Sequence, residues 1–236
     1  MIMIFHWSIL ILIPGVLLAA WAQMKVKSTY AEYSRIRSRS GLTGADVARL
    51  ILRDSGIAVN DGRGRNSGPS CAIEPVAGEM TDHYDPGLQT LRLSQNVYYG
   101  TSVAALGIAA HEVGHAIQHA RSYTPLVLRS VTYPLSHYGS QLAWPLFFIG
   151  LIMAHPTLQT AGIVLFSLAV AFTLITLPVE FNASNRALKA LSSGGYLDHE
   201  ELAGARRVLS AAALTYVAAA AMAILQLIRL IILRRD

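Results

Sequence analysis

Long apolar segments separated by polar stretches dominate the hydropathy pattern of the chain. A membrane-spanning helix needs about 20 predominantly apolar residues. Four segments meet that requirement: 2–22, 135–154, 158–177 and 208–228. The second contains Pro145 and begins with the polar residues Ser136, His137 and Tyr138. The pattern therefore predicts a mainly α-helical integral membrane protein with four transmembrane helices.

The first apolar segment has two interpretations. Ala20-Trp21-Ala22 resembles a signal-peptidase site, which would mean cleavage and export. No positively charged stretch precedes the segment, however, and Lys25 and Lys27 follow it closely. This arrangement favours an uncleaved anchor whose carboxyl-terminal flank stays in the cytoplasm.

The polar region after this segment predicts short elements. Residues 24–39 are typical of a basic amphipathic helix, and Thr43 is a good N-cap for a helix over 44–55 that stops at Gly56. Residues 61–69 are polar and rich in glycine, which indicates a surface loop. Two strands, 71–76 and 90–93, are separated by a turn within 81–87 and form a small sheet over an apolar helix at 101–120.

These elements predict a division into five parts. They are a first transmembrane helix at 1–23, a domain at 24–134 that contains the apolar helix at 101–120, a transmembrane hairpin at 135–177, a helix and loop at 178–207, and a fourth transmembrane helix with a basic tail at 208–236.

Composition agrees with a membrane protein. Hydrophobic residues make up 53% of the 236 residues, and charged residues make up only 14%. In ordinary soluble domains the charged share is about a quarter. The net charge of +5 does not indicate nucleic-acid binding, because many basic residues flank apolar segments, as in membrane proteins.

Cys71 is the single cysteine, so no intrachain disulfide can form, and we expect it to be buried as a small hydrophobic residue.

The chemistry of the chain is concentrated in His111-Glu-Val-Gly-His115. This is an H-E-x-x-H motif within the apolar helix at 101–120. Residues four apart lie on one face of a helix, so His111 and His115 can hold one metal ion. Glu112 then lies beside the open face of the metal, where it can take a proton from water. Zinc suits two imidazoles and a carboxylate with a fourth position left for water.

A third ligand is needed, and there are two candidates. His119 lies four residues after His115, but a straight helix cannot bring His111 and His119 to one ion. In metzincins the third histidine follows six residues after the second, and here that position is Arg121. Glu180 is the better candidate, because it directly follows the third apolar segment, where a charge is costly without a function or a partner. A purely structural pair with Arg186 remains the alternative.

Membrane topology supports Glu180. The motif lies between the first and second predicted spans, and Glu180 lies between the third and fourth. Two intervening spans return the chain to the same side of the membrane, so the motif and Glu180 can meet at its surface. An odd number of intervening spans would exclude this site.

Several motifs together resemble the YugP-type family of neutral zinc metallopeptidases, which are bacterial membrane proteins. The matching segments are Thr81-Asp-His-Tyr-Asp-Pro86, Leu91-Arg-Leu-Ser94, Gly100-Thr-Ser-Val-Ala-Ala-Leu-Gly107, His111-Glu-Val-Gly-His-Ala-Ile-Gln118 and Pro178-Val-Glu-Phe-Asn-Ala-Ser-Asn-Arg-Ala187. The resemblance implies a zinc-dependent peptidase in the inner membrane, and no particular substrate.

The chain is more distantly similar to HtpX-like and CAAX prenyl proteases. Their third ligand is the Glu of a Glu-x-x-Ala-Asp pattern, whose Asp orients a ligand histidine. Here Glu180 and Ala183 match, but Ser184 replaces the Asp. We therefore expect Asn182 or Asn185 to take the orienting role.

The predicted function is a gluzincin-like, membrane-bound zinc metallopeptidase. His111, His115 and Glu180 hold Zn²⁺, and Glu112 is the general base for a zinc-activated water that hydrolyses a peptide bond. His83, Tyr84 and Tyr98 are candidate oxyanion donors, and the strand at 90–93 is a candidate edge for an extended substrate. Two alternatives are an intramembrane site-2-type protease and a non-catalytic membrane scaffold with structural zinc.

The predicted function and the apolar segments together indicate which partners the chain has. The expected partners are a peptide or protein substrate, membrane proteins included, and the lipid bilayer. A homo-oligomer or a regulatory membrane partner stays open, and no nucleic acid is expected.

Basic residues near the span ends lie mainly beside the motif, which predicts a cytoplasmic catalytic domain and both termini outside. They are Lys25, Lys27, Arg35, Arg37, Arg39, Arg121, Arg129, Arg186, Lys189, Arg206 and Arg207, against Arg229, Arg234 and Arg235 on the other side.

Overall fold

The computed structural model describes residues 6–60 and 68–235, and it is mainly helical with one small mixed sheet. Most of the predicted loop at 61–69 lies outside the described residues, as do positions 1–5 of the first apolar segment. The helices are α1 (Ile13–Tyr33, preceded by a 3-10 turn at Trp7–Leu12), α2 (Gly44–Asp54), α3 (Gln95–Tyr98), α4 (Val103–Ala120), α5 (Thr124–Ile152), α6 (Pro156–Ser193) and α7 (His199–Arg235). The strands are β1 (Ala58–Val59), β2 (Ser70–Val76), β3 (His83–Asp85) and β4 (Thr90–Ser94).

Helix α2 begins and ends where the sequence predicts. The Thr43 hydroxyl accepts a hydrogen bond from the backbone N–H of Asp46, and the Asp46 carboxylate accepts one from the backbone N–H of Thr43. This capping box satisfies two N–H groups that a helix start leaves without partners. Gly56 follows the helix end with φ of +77°. This left-handed conformation favours glycine.

The sheet has the order β1-β2-β4-β3. Strands β2 and β4 are parallel, with Ala72 opposite Thr90 and Val76 opposite Ser94. Residues 83–85, predicted as part of a turn, instead form β3, antiparallel to β4. The turn itself is confined to the residues that follow, where the Asp85 carboxylate accepts hydrogen bonds from the backbone N–H groups of Gly87 and Leu88.

This topology corrects the expectation that the strand at 90–93 offers an edge to a substrate. β4 lies between β2 and β3, so both of its sides are already paired within the sheet. The sequence pattern indicates only the strands that correspond to β2 and β4. The three-residue strand β3, which it does not indicate, pairs with the side of β4 that faces away from β2.

The chain forms two compact units. The first comprises the described residues of Met1–Met24, Pro125–Pro178 and Leu214–Asp236, and the second those of Lys25–Thr124 and Val179–Ala213. Three helical segments of the described chain are long and apolar enough to cross a membrane: Trp7–Tyr33, Pro156–Ser193 and His199–Arg235. The predicted second span is helical, as part of α5, but it is not among them. Its polar residues, Ser136, His137, Ser140 and Gln141, dilute its apolar character.

Within the first unit, α5 and the first part of α6 form a closely packed antiparallel hairpin. A Cβ added to Gly162 of α6 would lie 2.7 Å from the Ala143 carbonyl oxygen and 2.8 Å from the Phe147 backbone nitrogen of α5. Such distances are closer than a side chain tolerates, so glycine lets the two backbones approach. The rings of Trp144 and Phe166 meet edge to face across the same contact, with centroids 5.6 Å apart. This is one of the arrangements that aromatic pairs prefer.

The second unit has its own hydrophobic core, built around α4. Ile51 of α2, Leu91 and Leu93 of β4, and Leu106 and Val113 of α4 are almost fully buried in it. The end of α6 and the start of α7 contribute Ala187, Leu191, Ala205 and Leu209 to the same core. The motif helix is therefore held on several sides, which fixes the direction in which its histidines point.

Candidate metal centre

Helix α4 carries the motif in the middle of a regular, buried helix. The Ser102 hydroxyl caps its start by accepting a hydrogen bond from the Ala105 N–H. His111 and His115 lie one turn apart, and their rings meet edge to face with centroids 4.8 Å apart. The two imidazoles therefore share one face of α4, as their spacing predicts.

The structure brings Glu180 of α6 to that face. Its Oε2 lies 3.4 Å from His111 Nε2 and 3.5 Å from His115 Nε2. The Glu180 side chain is only 3% exposed. The ligand atoms of His111, His115 and Glu180 all lie within 4.8 Å of one another. Within the described part of the chain, no other group of three or more His, Cys, Asp or Glu side chains lies close enough together to hold one metal ion.

The donor atoms fit a zinc ion. A normal N–H···O hydrogen bond spans about 2.7–3.2 Å, shorter than the two distances from Glu180. Ligand atoms around a tetrahedral zinc, bound at about 2.0–2.1 Å, lie about 3.3–3.4 Å apart. Two imidazoles and one carboxylate also match the donor set of catalytic zinc sites, which leave a fourth position open.

Gly114 permits the close approach of α4 to α6. A Cβ at this position would lie 2.6 Å from the Ala183 carbonyl oxygen and 3.1 Å from the Ala183 Cα. The contact is with backbone, which cannot move aside as a flexible side chain can. Because Gly114 precedes His115 and Ala183 follows Glu180 by three residues, any larger residue here would separate the ligands.

A buried hydrogen bond orients His115. Its Nδ1 lies 3.0 Å from Gln118 Oε1, and the Gln118 side chain is completely buried. Gln118 Nε2 donates to the Val179 carbonyl oxygen at 2.8 Å and to Asn182 Oδ1 at 3.0 Å. Gln118 thus joins one histidine of α4 to the segment of α6 that contains Glu180.

His111 has a different partner. Its Nδ1 lies 3.1 Å from Ser184 Oγ, one turn beyond Glu180 on α6. The expectation that Asn182 or Asn185 orients a ligand histidine is therefore wrong. Asn182 contacts Gln118 rather than a histidine, and Asn185 is exposed. Ser184 occupies the position of the Asp in the related pattern and reaches His111 with a hydroxyl.

Sequence reasoning does not single out Gln118 or Ser184 as an orienting residue. A weak signal is present, because Gln118 lies three residues after His115 and Ser184 four after Glu180. Side chains at these spacings are neighbours on a helix surface. Many polar residues have such spacings, so the signal alone cannot select these two.

Glu112, the predicted base, is a buried acid that is not part of the three-residue cluster. The residue is only 8% exposed. Burial, together with the charge of nearby Glu112, raises the pKa of Asp82 despite hydrogen bonds from the Ser94 N–H and hydroxyl. Glu112 is thus a buried carboxylate that lies near His115 but outside the three-residue cluster.

The electrostatics around His115 favour cations. Burial opposes a charge on this ring, but Glu180, Glu112 and the hydrogen bond to Gln118 together outweigh burial and raise the pKa of His115. The same two carboxylates would stabilise a bound divalent cation.

The remaining candidates have other contacts. His119 Nδ1 lies 2.7 Å from the Tyr84 hydroxyl, so the structure joins His119 to β3 and not to the three-residue cluster. Tyr98 accepts a hydrogen bond from Arg49, and the exposed His83 bonds the Thr81 carbonyl. Arg186, the alternative partner of Glu180, donates through Nε to Asn182 Oδ1.

Comparison with known proteins identifies the family. Residues 8–235 match the family model described as "Putative neutral zinc metallopeptidase". The chain is also 47% identical over 216 residues to "Putative membrane protease YugP" from Bacillus subtilis (strain 168), covering 92% of this chain and 91% of that protein. No solved structure matches the chain. The chain therefore belongs to this family, which confirms the resemblance drawn from its motifs, and it is a membrane protein.

Proposed function

We propose that this chain is a membrane-bound zinc metallopeptidase that hydrolyses peptide bonds in peptide or protein substrates, membrane proteins included. His111, His115 and Glu180 are the metal ligands, and Glu112 is the general base. The observation that carries the proposal is the convergence of the three donor atoms, with Glu180 Oε2 at 3.4 and 3.5 Å from the two imidazoles, beside a buried carboxylate outside the cluster. A structural zinc site has no need of such an extra carboxylate.

The reaction requires little of the chain beyond positioning and one proton carrier. Zinc, when bound, supplies a Lewis acid that makes water nucleophilic near neutral pH and polarises the scissile carbonyl. Glu112 accepts a proton from water as the oxygen attacks the carbonyl carbon, and it returns the proton to the amide nitrogen as the C–N bond breaks. The products are an amine and a carboxylic acid, which releases its proton to solvent near neutral pH.

We also propose that α5 crosses the membrane together with α6, which gives four spans. α5 packs antiparallel along the apolar part of α6, from the Tyr133–Phe172 ring contact to the approach of Gly150 to Gln159. Large apolar side chains of α5, such as Val131, Leu142 and Ile152, are exposed and suit contact with lipid. Two crossings between the motif and Glu180 would return the chain to one side, with the active site at the membrane surface.

The proposed location is the inner membrane, with the catalytic unit facing the cytoplasm. The support is the excess of Lys and Arg near the span ends on the motif side. Cysteine labelling in intact cells tests the orientation in a background where Cys71 is replaced by Ala. Cys at exposed Glu79 should resist an impermeant thiol reagent, and Cys at exposed Thr157 should react. The reverse pattern would place the catalytic unit outside the cytoplasm.

Proteolysis by the purified protein tests the proposed activity. Zinc-loaded wild type should cleave a denatured membrane protein, lose activity with a chelator and regain it with zinc. Glu112→Gln should keep its zinc and its fold but lose about 10² or more in rate, because it removes the base and leaves the ligands. Zinc binding without cleavage by the wild type would favour a scaffold with structural zinc, and cleavage by Glu112→Gln at the wild-type rate would exclude Glu112 as the base.

A further inference from the structure

The side chain of Gln118 stands between His115 and the segment of α6 that carries Glu180. We propose that Gln118 is a positioning residue that holds the proton of His115 on Nδ1, so that the Nε2 lone pair faces Glu180 and the metal. This inference rests on the proposed function, because it assigns Gln118 a part in preparing the zinc site. It extends that proposal from the residues that touch the metal to a residue that acts through one of them.

The direction of the hydrogen bond follows from the Val179 carbonyl. One end of the Gln118 amide lies 2.8 Å from this carbonyl oxygen. A backbone carbonyl can only accept, so that end must be the NH₂ group. The other end, the Oε1 atom, therefore faces His115 Nδ1 at 3.0 Å. An amide oxygen can only accept in turn. For this hydrogen bond to form, Nδ1 must carry the proton of the imidazole.

A second contact imposes the same direction. Arg186 Nε lies 2.7 Å from Asn182 Oδ1. A guanidinium only donates, so Asn182 Oδ1 is fixed as an acceptor. The same oxygen also accepts from Gln118 Nε2 at 3.0 Å. A chain of donors and acceptors runs from Arg186 through Asn182 and Gln118 to His115. Two independent groups, the Val179 carbonyl and Arg186, thus orient the Gln118 amide in the same way.

The histidine at the other end of the motif lacks this constraint. Ser184 Oγ lies 3.1 Å from His111 Nδ1. A hydroxyl can donate or accept, because it rotates to suit its partner. Ser184 therefore supports the His111 ring without selecting its tautomer. The two histidines have equivalent places in the motif but not in the network behind it.

Burial makes the Gln118 contacts costly to lose. The Gln118 side chain is completely buried, and its bonds tie α4 to α6 directly beside Glu180. A neutral imidazole that is free to exchange tautomers presents its lone pair to the metal for only part of the time. Removing the amide would therefore weaken metal binding even where the three ligands remain.

Zinc affinity of Gln118→Met is the first test, because methionine has a similar length and no amide. Affinity is measured on the full-length protein in detergent by competition with a chromogenic chelator. Partners of metal-ligating histidines typically change metal affinity by about 10–100-fold, and we expect a loss in that range. Gln95→Met, at an exposed position of α3, is the matched control and should bind as the wild type does.

The tautomer itself is the second test, and it does not require any variant of Gln118 to fold. Nitrogen NMR of ¹⁵N-histidine-labelled, metal-free wild type at alkaline pH should show His115 protonated on Nδ1. The His115 signal is assigned by its loss in His115→Ala. Protonation on Nε2 in the wild type, or wild-type zinc affinity in a folded Gln118→Met, would overturn the inference. Failure of the wild type itself to bind zinc would instead overturn the proposed function.

Discussion

The two units of the molecule differ in the side chains for which their folds must account. In the first unit, large apolar side chains are exposed, with Leu17 at 64% and Ile152 at 73%. In the second unit, polar residues are buried, with whole-residue exposures of 0% for Gln118, 2% for Glu180 and 9% for His115. Lipid explains the first arrangement, because apolar side chains have no reason to leave a hydrocarbon solvent. The second arrangement needs a different explanation.

Buried polar groups lower the stability of a protein unless they are paired. Around the three-residue cluster, polar side chains are paired with one another, through His115, Gln118, Asn182 and Arg186 on one side and through His111 and Ser184 on the other. The comparison teaches that the candidate metal site lies where the chain buries polar side chains. Variants can test whether the hydrogen bonds among these side chains support metal binding or only the fold.

Loss of a ligand should have the largest effect. Glu180→Ala, His111→Ala and His115→Ala should each bind markedly less zinc, because two remaining donors do not hold the ion tightly. His119→Ala, on the same helix face but bonded to Tyr84, should keep a full zinc complement. Metal analysis of the four purified variants decides this. Full zinc in Glu180→Ala together with a loss in His119→Ala would replace the proposed ligand set.

A matched pair of glycine variants should separate the two units. Gly114→Ala places a methyl group against the Ala183 backbone, and Gly162→Ala places one against the Ala143 carbonyl. Overpacking of this kind typically lowers the free energy of unfolding by about 1–3 kcal/mol. Both variants should lose stability, but only Gly114→Ala should also lose zinc affinity, because only that contact sets the distance between α4 and Glu180.

Chelator competition and thermal unfolding measure both properties of the glycine variants. Equal zinc affinity in the two variants would mean that the α4–α6 approach does not control the site.

Ser184→Ala should have a smaller effect on zinc affinity than Gln118→Met. The hydroxyl supports His111 without fixing its tautomer, and water can replace it at a side chain that is only partly buried. We expect a loss of a few fold, below the range of about 10–100-fold typical for partners of ligand histidines. Affinities measured side by side for the two variants test the ranking. A larger loss in Ser184→Ala would mean that His111 depends more on its partner than His115 does.

Tyr84→Phe should have the smallest effect on the site. Its hydroxyl bonds His119, away from the three-residue cluster, so its removal should leave zinc content and cleavage rate unchanged. The partly buried hydrogen bond is lost, and the free energy of unfolding should fall by about 1 kcal/mol. A rate lowered about 100-fold with zinc intact would identify Tyr84 as an oxyanion donor instead.

Local signals in the sequence are enough to predict some elements closely. The capping residue Thr43 and the stop at Gly56 define the two ends of α2 because they act within one turn of the chain. The spacing of His111 and His115 likewise follows from helix geometry alone. The prediction of Glu180 as a ligand needs two further arguments. These are the cost of a charge at the edge of an apolar segment and the number of spans between the motif and Glu180.

The features that the sequence does not predict depend on contacts between distant segments. Strand β3 has only three residues, and their sequence is typical of a turn. They form a strand because they pair with β4. The close packing of α5 against α6 at Gly162 is likewise not visible in the hydropathy of either segment. Ser184 and Gln118 acquire their roles only once α4 and α6 meet at Gly114.

X-ray absorption spectroscopy of the zinc-loaded wild type tests the central claim most directly, because it reports the atoms bound to the metal. The claim is that two histidines of α4 and one carboxylate of α6 hold a single ion. We predict one zinc per chain, with scattering from two imidazoles and with oxygen at about 2.0–2.2 Å for the remaining ligands. A spectrum with three imidazoles, or with sulfur from Cys71, would contradict the assignment of Glu180 and the site built around it.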